Sequence, residues 1–104
     1  MKPICCRDCQ DAELLLAAGS DGLTVDEINP VWLKTAAAPM VGSLTEKVNI
    51  DVDQILGAFH FLKDRVEHVI VEGAGGWMVP IHLNHTVLTV QNILGRGLRC
   101  AGFV

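Results

Sequence analysis

Basic residues are scarce in this sequence. Its 104 residues contain eight Lys and Arg against twelve Asp and Glu, which gives a net charge of −4. A nucleic-acid-binding surface needs clustered Lys and Arg to neutralise phosphates, and the eight basic residues are scattered over the whole chain. We therefore expect no nucleic-acid partner.

Long apolar runs are also missing, although half of the residues are apolar. No run approaches the roughly 20 residues that a membrane helix needs. Residues 1–6 carry one positive charge and no long apolar stretch, so they do not have the pattern of a signal peptide. We expect no membrane association, a cytoplasmic location, and free thiols at the four cysteines.

Two pairs of residues, far apart in the sequence, have the spacing that is typical of metal ligands. Cys6-x-x-Cys9 and His82-x-x-His85 could together supply four zinc ligands, but most of the chain separates them. The sequence favours small, partly buried thiols, and a zinc site is the alternative.

The high apolar content and 19% charged residues permit one packed domain over residues 1–104. Residues 11–18 are good helix formers with acids in the first turn. Residues 51–66 have apolar side chains at the i, i+3, i+4, i+7 spacing of a helix with one buried face. We also expect Asp51 and Gln54 to form a capping box, and residues 28–33 to form a short edge strand at best.

The last third of the chain has the pattern of a strand–loop–helix–strand unit. Three consecutive β-branched residues predict a strand at 68–72 that is buried on both faces. Asn84 is a good N-cap for a helix over 84–94, and residues 98–104 form a final apolar stretch. Such a unit requires a right-handed crossover, so we predict an α/β fold in which strands 68–72 and 98–104 are parallel.

A glycine-rich segment follows the predicted strand 68–72. In open parallel sheets, ligands bind beyond the carboxyl ends of the strands. Glu72 is placed there to hold Mg²⁺, and the glycines at 73, 75 and 76 let backbone N–H groups approach an anion. A dinucleotide fingerprint is excluded, because its third glycine would fall at Met78. The alternative is a tight glycine-rich turn with a surface Glu.

Five segments, in order along the chain, resemble the dethiobiotin synthetase family. They are Lys2-Pro3-Ile4, Asp11-Ala12, Asn29-Pro30, Val69-Ile70-Val71-Glu72-Gly73-Ala74-Gly75-Gly76-Trp77 with Val79-Pro80, and Leu83-Asn84-His85-Thr86. The resemblance implies a remnant of a parallel-sheet, P-loop NTPase-like fold with helices on both faces. It also implies a homodimer that closes the ureido ring of dethiobiotin from 7,8-diaminononanoate and CO₂, using ATP and Mg²⁺.

The resemblance also implies roles for single residues. Lys2 would contact the carbamate and the transferred phosphoryl group, and Asp11 and Glu72 would hold Mg²⁺. The substrate would be contacted by Gly75, Gly76 and Asn84. The nucleotide would be contacted by Glu72 and Gly73. Simpler explanations exist for several of these residues. Lys2 could be a solvated lysine, Asp11 a helix-start residue, and Asn84 a plain N-cap.

The sequence departs from the family pattern at three places. It contains no G-x-x-x-x-G-K-[ST] phosphate loop. His82 alone stands where the family has a further helix and strand, and the sequence stops short of the family's adenine-reading Asn. We therefore expect impaired ATP binding by these residues. Two alternatives remain, a non-catalytic interaction fragment of that fold and a P-loop ATPase of the partitioning or cobyric-acid type. The Glu-Gly-Ala-Gly-Gly-Trp run favours the synthetase over the latter.

Overall fold

The computed structural model describes residues 1–19, 21–73, 75, 78–86 and 89–90. The elements are β1 (Ile4–Cys6), α1 (Gln10–Ala18), α2 (Val25–Ile28), β2 (Val31–Leu33), α3 (Pro39–Glu46), α4 (Val52–Lys63), β3 (Pro80–His82) and β4 (His85–Thr86). Strands β1 and β2 are parallel, with Cys6 opposite Leu33. The predicted α/β class is confirmed.

A third extended segment lies beside β1. The backbone nitrogen of Met1 donates to the carbonyl of Ile70 at 2.6 Å, and the backbone nitrogen of Glu72 donates to the carbonyl of Met1 at 2.9 Å. Bonds from one residue to positions j−1 and j+1 of its neighbour are the pattern of a parallel ladder. The chain around β1 is therefore flanked by β2 on one side and by residues 70–72 on the other.

Helices cover both faces of the parallel pair. Leu33 of β2 packs against Gly42 of α3, where an added Cβ would lie 3.2 Å from the Leu33 side chain. Cys5 points to the opposite face from Cys6 because side chains alternate along a strand, and Cys5 is buried in the same core as Ala12 of α1. Helices α1 and α3 thus lie on opposite faces, as the resemblance implies.

The predicted helix at 51–66 is confirmed as α4, although it ends at Lys63. Its apolar face supplies Ile55, Phe59 and Leu62 to the buried core. The predicted capping box between Asp51 and Gln54 is wrong, although Asp51 does cap the helix. Asp51 accepts from the backbone of Asp53, but Gln54 donates to the carbonyl of Pro30 instead of returning to the helix start. Among the described residues, no helix is both long and apolar enough to cross a bilayer.

The predicted strand at 68–72 is only partly correct. These residues are extended and bond to Met1, but they are not assigned as a strand. The prediction of burial on both faces is wrong, since Ile70 is 79% exposed. Val69 and Val71 pack against the core. Alternation sends Ile70 to the face that no element in the described part of the chain covers.

The predicted helix start at Asn84 is also wrong. Asn84 lies in the turn of an antiparallel hairpin formed by β3 and β4. Helical residues begin later, and Thr86 and Thr89 cap them reciprocally, each accepting from the other's backbone nitrogen at 3.3 Å. The rest of the predicted helix beyond residue 90, and the predicted strand at 98–104, lie outside the described residues.

Candidate functional site

Lys2 is the buried cation of the molecule's candidate site. Its side chain is 8% exposed, and the residue lies two positions before the short strand β1. Its backbone nitrogen donates to the carbonyl of Ile28 at 2.8 Å, and its carbonyl accepts from Asn29 Nδ2 at 2.7 Å. These two bonds fix the backbone from which the side chain projects.

The Lys2 ammonium donates hydrogen bonds to three oxygen atoms. Nζ donates to Asp11 Oδ2 and to Glu72 Oε1, each at 3.1 Å, and to the carbonyl of Gly73 at 3.3 Å. Asp11 lies in the first turn of α1, whereas Glu72 ends the extended segment beside Met1 and Gly73 follows it. The fold thus brings together four residues that the sequence predicts as site residues from three separate places in the chain.

Two effects oppose each other at the Lys2 ammonium. Burial lowers its pKa, while hydrogen bonds to Asp11 and Glu72 and the charges of both carboxylates raise it. The net result is a pKa above the ordinary lysine value. Lys2 is therefore a fixed positive charge at neutral pH, with its three protons directed at three acceptors, and it is not a general base.

Asn29 is a buried residue whose role in the site the motif comparison did not reveal. It is 6% exposed, and its Nδ2 donates to the carbonyls of Lys2 and Val31. Its Oδ1 accepts from the Cys9 thiol at 3.1 Å. The side chain thus joins the Lys2 backbone, β2 and the start of α1. The Asn29-Pro30 pair in the sequence was the available signal.

A cavity of about 210 Å³ opens beside Lys2 and Asp11 and reaches Gly75. Gly75 has φ +70°, and an added Cβ would lie 2.8 Å from Val79 Cγ2. A side chain at this position would therefore be strained by its backbone and would also clash. The glycine lets the chain approach the cavity closely, as the sequence predicts for a ligand-binding loop.

The two carboxylates suit a magnesium ion. Asp11 and Glu72 each use one oxygen on Lys2, the other oxygen accepts no hydrogen bond from the described residues, and their side chains are 61% and 48% exposed. Protein sites for Mg²⁺ commonly supply one or two carboxylates and leave other positions to water and phosphate. Within the described ranges, no three His, Cys, Asp or Glu side chains are grouped to hold a metal. This pair therefore fits Mg²⁺ better than it fits zinc.

The other predicted site residues are not gathered here. Asn84 lies in the β3–β4 turn, and Gly76 lies outside the described residues. His82 and His85 face each other across the hairpin with ring centroids 6.1 Å apart, whereas Cys6 and Cys9 line the Lys2 cavity. The structure thus does not bring the four possible zinc ligands into one described cluster.

Comparisons with known proteins identify the family. A family model described as an AAA domain matches residues 1–97. The ATP-dependent dethiobiotin synthetase BioD of Akkermansia muciniphila is 39% identical, with 99% of this chain and 61% of that protein covered. The corresponding protein of Aromatoleum aromaticum is 34% identical, with 91% and 54% covered. That of Methanococcus vannielii is 29% identical, with 100% and 62% covered.

The chain spans between half and two thirds of the length of these relatives. The alignment with the Akkermansia protein runs over 129 positions, more than the 104 residues of this chain. That relative therefore has residues within the matched region that this chain lacks. The chain therefore belongs to this AAA domain family, and the relatives that it matches are named dethiobiotin synthetases, the family that its motifs resemble.

Proposed function

We propose that this chain supplies the carbamate- and metal-binding part of an ATP- and Mg²⁺-dependent ligase. The reaction closes the ureido ring of dethiobiotin from 7,8-diaminononanoate and CO₂. The observation that carries the proposal is the buried Lys2 ammonium held between Asp11 and Glu72 at 3.1 Å from each. The relatives' names support the reaction class.

The chemistry gathers negative charge beside Lys2. One substrate amine adds to CO₂ to give a carbamate, and the γ-phosphoryl group of ATP then passes to a carbamate oxygen. The second amine attacks the carbamate carbon, the ring closes, and phosphate leaves. Because Lys2 keeps its charge and directs its protons from a fixed position, it can stabilise the carbamate and the transferred phosphoryl oxygens.

Asp11 and Glu72 would hold Mg²⁺ through the oxygens that Lys2 leaves free. The bound ion would neutralise charge on the ATP phosphates. The two carboxylates also orient the Lys2 side chain, so the same pair positions both cations of the site. Glu72 and the Gly73 backbone would then border the nucleotide.

Substrate contacts are assigned to the glycine-rich loop. Gly75 lines the cavity, and its backbone can reach a bound molecule because no side chain intervenes. Roles for Gly76 and Asn84 stay predictions. Because Asn84 lies in the turn of the hairpin, it cannot present the N-terminus of a helix to the substrate carboxylate.

We further propose a cytoplasmic homodimer, as the resemblance implies. Free thiols at Cys5, Cys6 and Cys9 suit a reducing compartment. Val41 and Leu44 on α3 are 50% and 68% exposed, which supports a further contact surface on that helix. The non-catalytic interaction fragment would use the same surface, and the following experiment separates it from the enzyme.

The test joins this chain to the missing family segments of a full-length relative. These are the N-terminal strand with its phosphate loop, the insertion around residue 82 and the adenine-binding segment. We expect ¹³C from labelled bicarbonate to enter dethiobiotin only when ATP, Mg²⁺ and the diamine are present. Glu72→Gln keeps size and removes charge, and should lower the rate roughly 10²-fold or more.

Glu13→Gln is the matched control. Glu13 is an exposed acidic residue in the same first turn of α1 as Asp11, so its loss changes net charge equally. We expect the control to retain full turnover. Equal rates for wild type and Glu72→Gln would contradict the placement of the metal at Glu72, and a folded but inactive wild-type chimera would favour the non-catalytic alternative.

A further inference from the structure

Asn29 occupies a fixed position at the junction of α2 and β2. Its backbone nitrogen donates to the carbonyl of Val25 at 2.8 Å, where α2 ends, and β2 begins two residues later. Pro30 follows, and a residue that precedes proline has few backbone conformations open to it. The side chain is 6% exposed. It is therefore a fixed point inside the protein to which other segments can be tied.

Both ends of the Asn29 amide bind segments that carry the candidate site. The amide nitrogen donates to the carbonyl of Lys2 at 2.7 Å and to that of Val31 at 3.1 Å, so both of its protons are used. The amide oxygen accepts from the Cys9 thiol at 3.1 Å. One planar group thus joins the backbone of Lys2 to the residue directly before α1.

Cys9 in turn determines where Asp11 lies. It is the N-cap residue of α1 with φ 58°, and its carbonyl accepts from the backbone nitrogens of Ala12 and Glu13. A non-glycine residue keeps a left-handed conformation only where its surroundings hold it there. No side-chain hydrogen bond caps this helix start. The thiol bond to Asn29 therefore helps to fix the turn that carries Asp11.

We propose that Asn29 is a positioning residue for the ligase reaction. It sets the backbone of Lys2 and the first turn of α1 at the separation that the Lys2–Asp11 ion pair requires. This inference rests on the proposed function and adds the residue that aligns two members of its site. Lys2, Cys9 and Asp11 line the cavity and Asn29 lies behind them, so it acts through these residues rather than on the substrate.

A positioning role and a purely structural role give different kinetics. A residue that only stabilises the fold changes the fraction of folded protein and leaves each folded molecule fully active. A displacement of about 1 Å at a reacting group can lower the rate roughly 10²-fold. An interaction that is made only in the transition state lowers kcat and leaves KM unchanged when it is lost. The kcat of each folded molecule therefore separates the two roles.

The first test uses the 104-residue chain and requires no catalysis. The Lys2 ammonium is buried and donates to three oxygens. Protected protons of this kind exchange slowly with water, so we expect a resolved ¹H–¹⁵N NMR signal from Lys2 Nζ. Asn29→Leu keeps the side-chain size and removes both donors. It should abolish the signal while circular dichroism still shows a folded chain, whereas the exposed control Asn49→Ala should keep it.

The second test measures turnover in the chimera that contains the missing family segments. We expect Asn29→Leu to lower kcat roughly 10²-fold per folded molecule, with the KM for ATP unchanged. Cys9→Ala removes the donor to the amide oxygen and should also lower kcat, whereas Cys9→Ser keeps a donor and should restore most of the turnover. If Asn29→Leu does not fold, the two Cys9 variants still decide the proposal.

Three outcomes would overturn the positioning role. They are a persistent Lys2 signal in folded Asn29→Leu, full turnover per folded molecule in that variant, and equal turnover of Cys9→Ala and Cys9→Ser. A chimera that is folded but inactive without any of these substitutions would instead contradict the ligase function. The NMR signal would then still show whether Asn29 holds Lys2 in place.

Discussion

At the scale of the residue, the chemistry of a side chain depends on neighbours that are distant in sequence. Lys2 has the sequence context of a solvated lysine, yet the fold buries it and surrounds it with acceptors from residues 11, 72 and 73. The residues that carry charge could be predicted from the family motifs. The role of Asn29 in holding the Lys2 backbone could not be predicted, because Asn29 bonds to the carbonyls of Lys2 and Val31 only after the chain has folded.

Asn29 gives the residue-scale prediction. It is buried and makes three hydrogen bonds, so Asn29→Ala leaves the carbonyls of Lys2 and Val31 without this donor. Buried polar groups that lose a partner cost about 1–3 kcal/mol each in free energy of unfolding. We expect urea denaturation to show a loss of this size or more.

Asn49→Ala is the control for that measurement, since Asn49 is exposed in the loop before α4. Surface changes of this kind usually alter stability by less than about 0.5 kcal/mol. Similar denaturation midpoints for the two variants would show that the bonds of Asn29 contribute little.

At the scale of the element, two helices with strong local signals were predicted, and so was the short edge strand within 28–33, which is β2. Other short elements were missed. The predicted helices at 11–18 and 51–66 match α1 and α4, because an apolar stripe or a run of good helix formers determines them locally. Two helices were missed although local signals existed. Thr24 and Glu27 form a capping box at α2, and Pro39 occupies the first turn of α3.

The hairpin shows where local signals mislead. Asn84 is a favourable N-cap by residue type, but β3 and β4 pair around it, and Thr86 takes the cap position two residues later. Both residues are acceptable caps, so the choice between them depends on tertiary packing. The hydrophobic periodicity of the sequence could not decide which of the two residues caps the helix.

Two glycines in helices give the element-scale prediction. Gly57 in α4 is exposed, and a Cβ there would meet nothing within 4 Å. Replacing an open helical glycine with alanine stabilises by roughly 0.5–1 kcal/mol, so Gly57→Ala should raise the unfolding midpoint. Gly42→Ala in α3 should not, since its Cβ would press on Leu33 at 3.2 Å.

Thermal or urea unfolding of both variants checks the comparison. Helix propensity favours alanine equally at the two positions, so any difference between them measures the contact between α3 and β2. If Gly42→Ala raised the unfolding midpoint as much as Gly57→Ala, α3 would be able to move away from β2 without loss of stability.

At the scale of the whole molecule, we propose that the chain holds one part of a larger active site. The candidate site gathers a lysine, two carboxylates and a glycine-rich loop, but the sequence contains no G-x-x-x-x-G-K-[ST] segment. That loop cradles phosphates through its backbone N–H groups and its lysine. The α/β class followed from the sequence, and the absent family segments already predicted the partial length, which is confirmed by the 61% of the Akkermansia relative that the chain covers.

The whole-molecule prediction concerns nucleotide affinity. We expect the 104-residue chain to bind Mg·ATP weakly or not at all, because Lys2 and two carboxylates cannot replace a loop of backbone donors around the phosphates. Isothermal titration calorimetry of the wild-type chain measures this affinity directly. A dissociation constant in the micromolar range would reveal a phosphate site among these residues that the sequence does not indicate.

The bonds of Met1 and Lys2 to residues 70–73 also set an order of assembly. Strand β1 can pair with β2 once about thirty residues of chain are available, but the Lys2–Glu72 pair closes a loop of seventy residues. Contacts of high sequence separation form late, because the entropy of loop closure must be overcome before they give any stability. On the ribosome, β1, α1 and β2 can therefore assemble first. We expect the Lys2 side chain to remain exposed to solvent until Glu72 has emerged from the ribosomal exit tunnel and can pair with it.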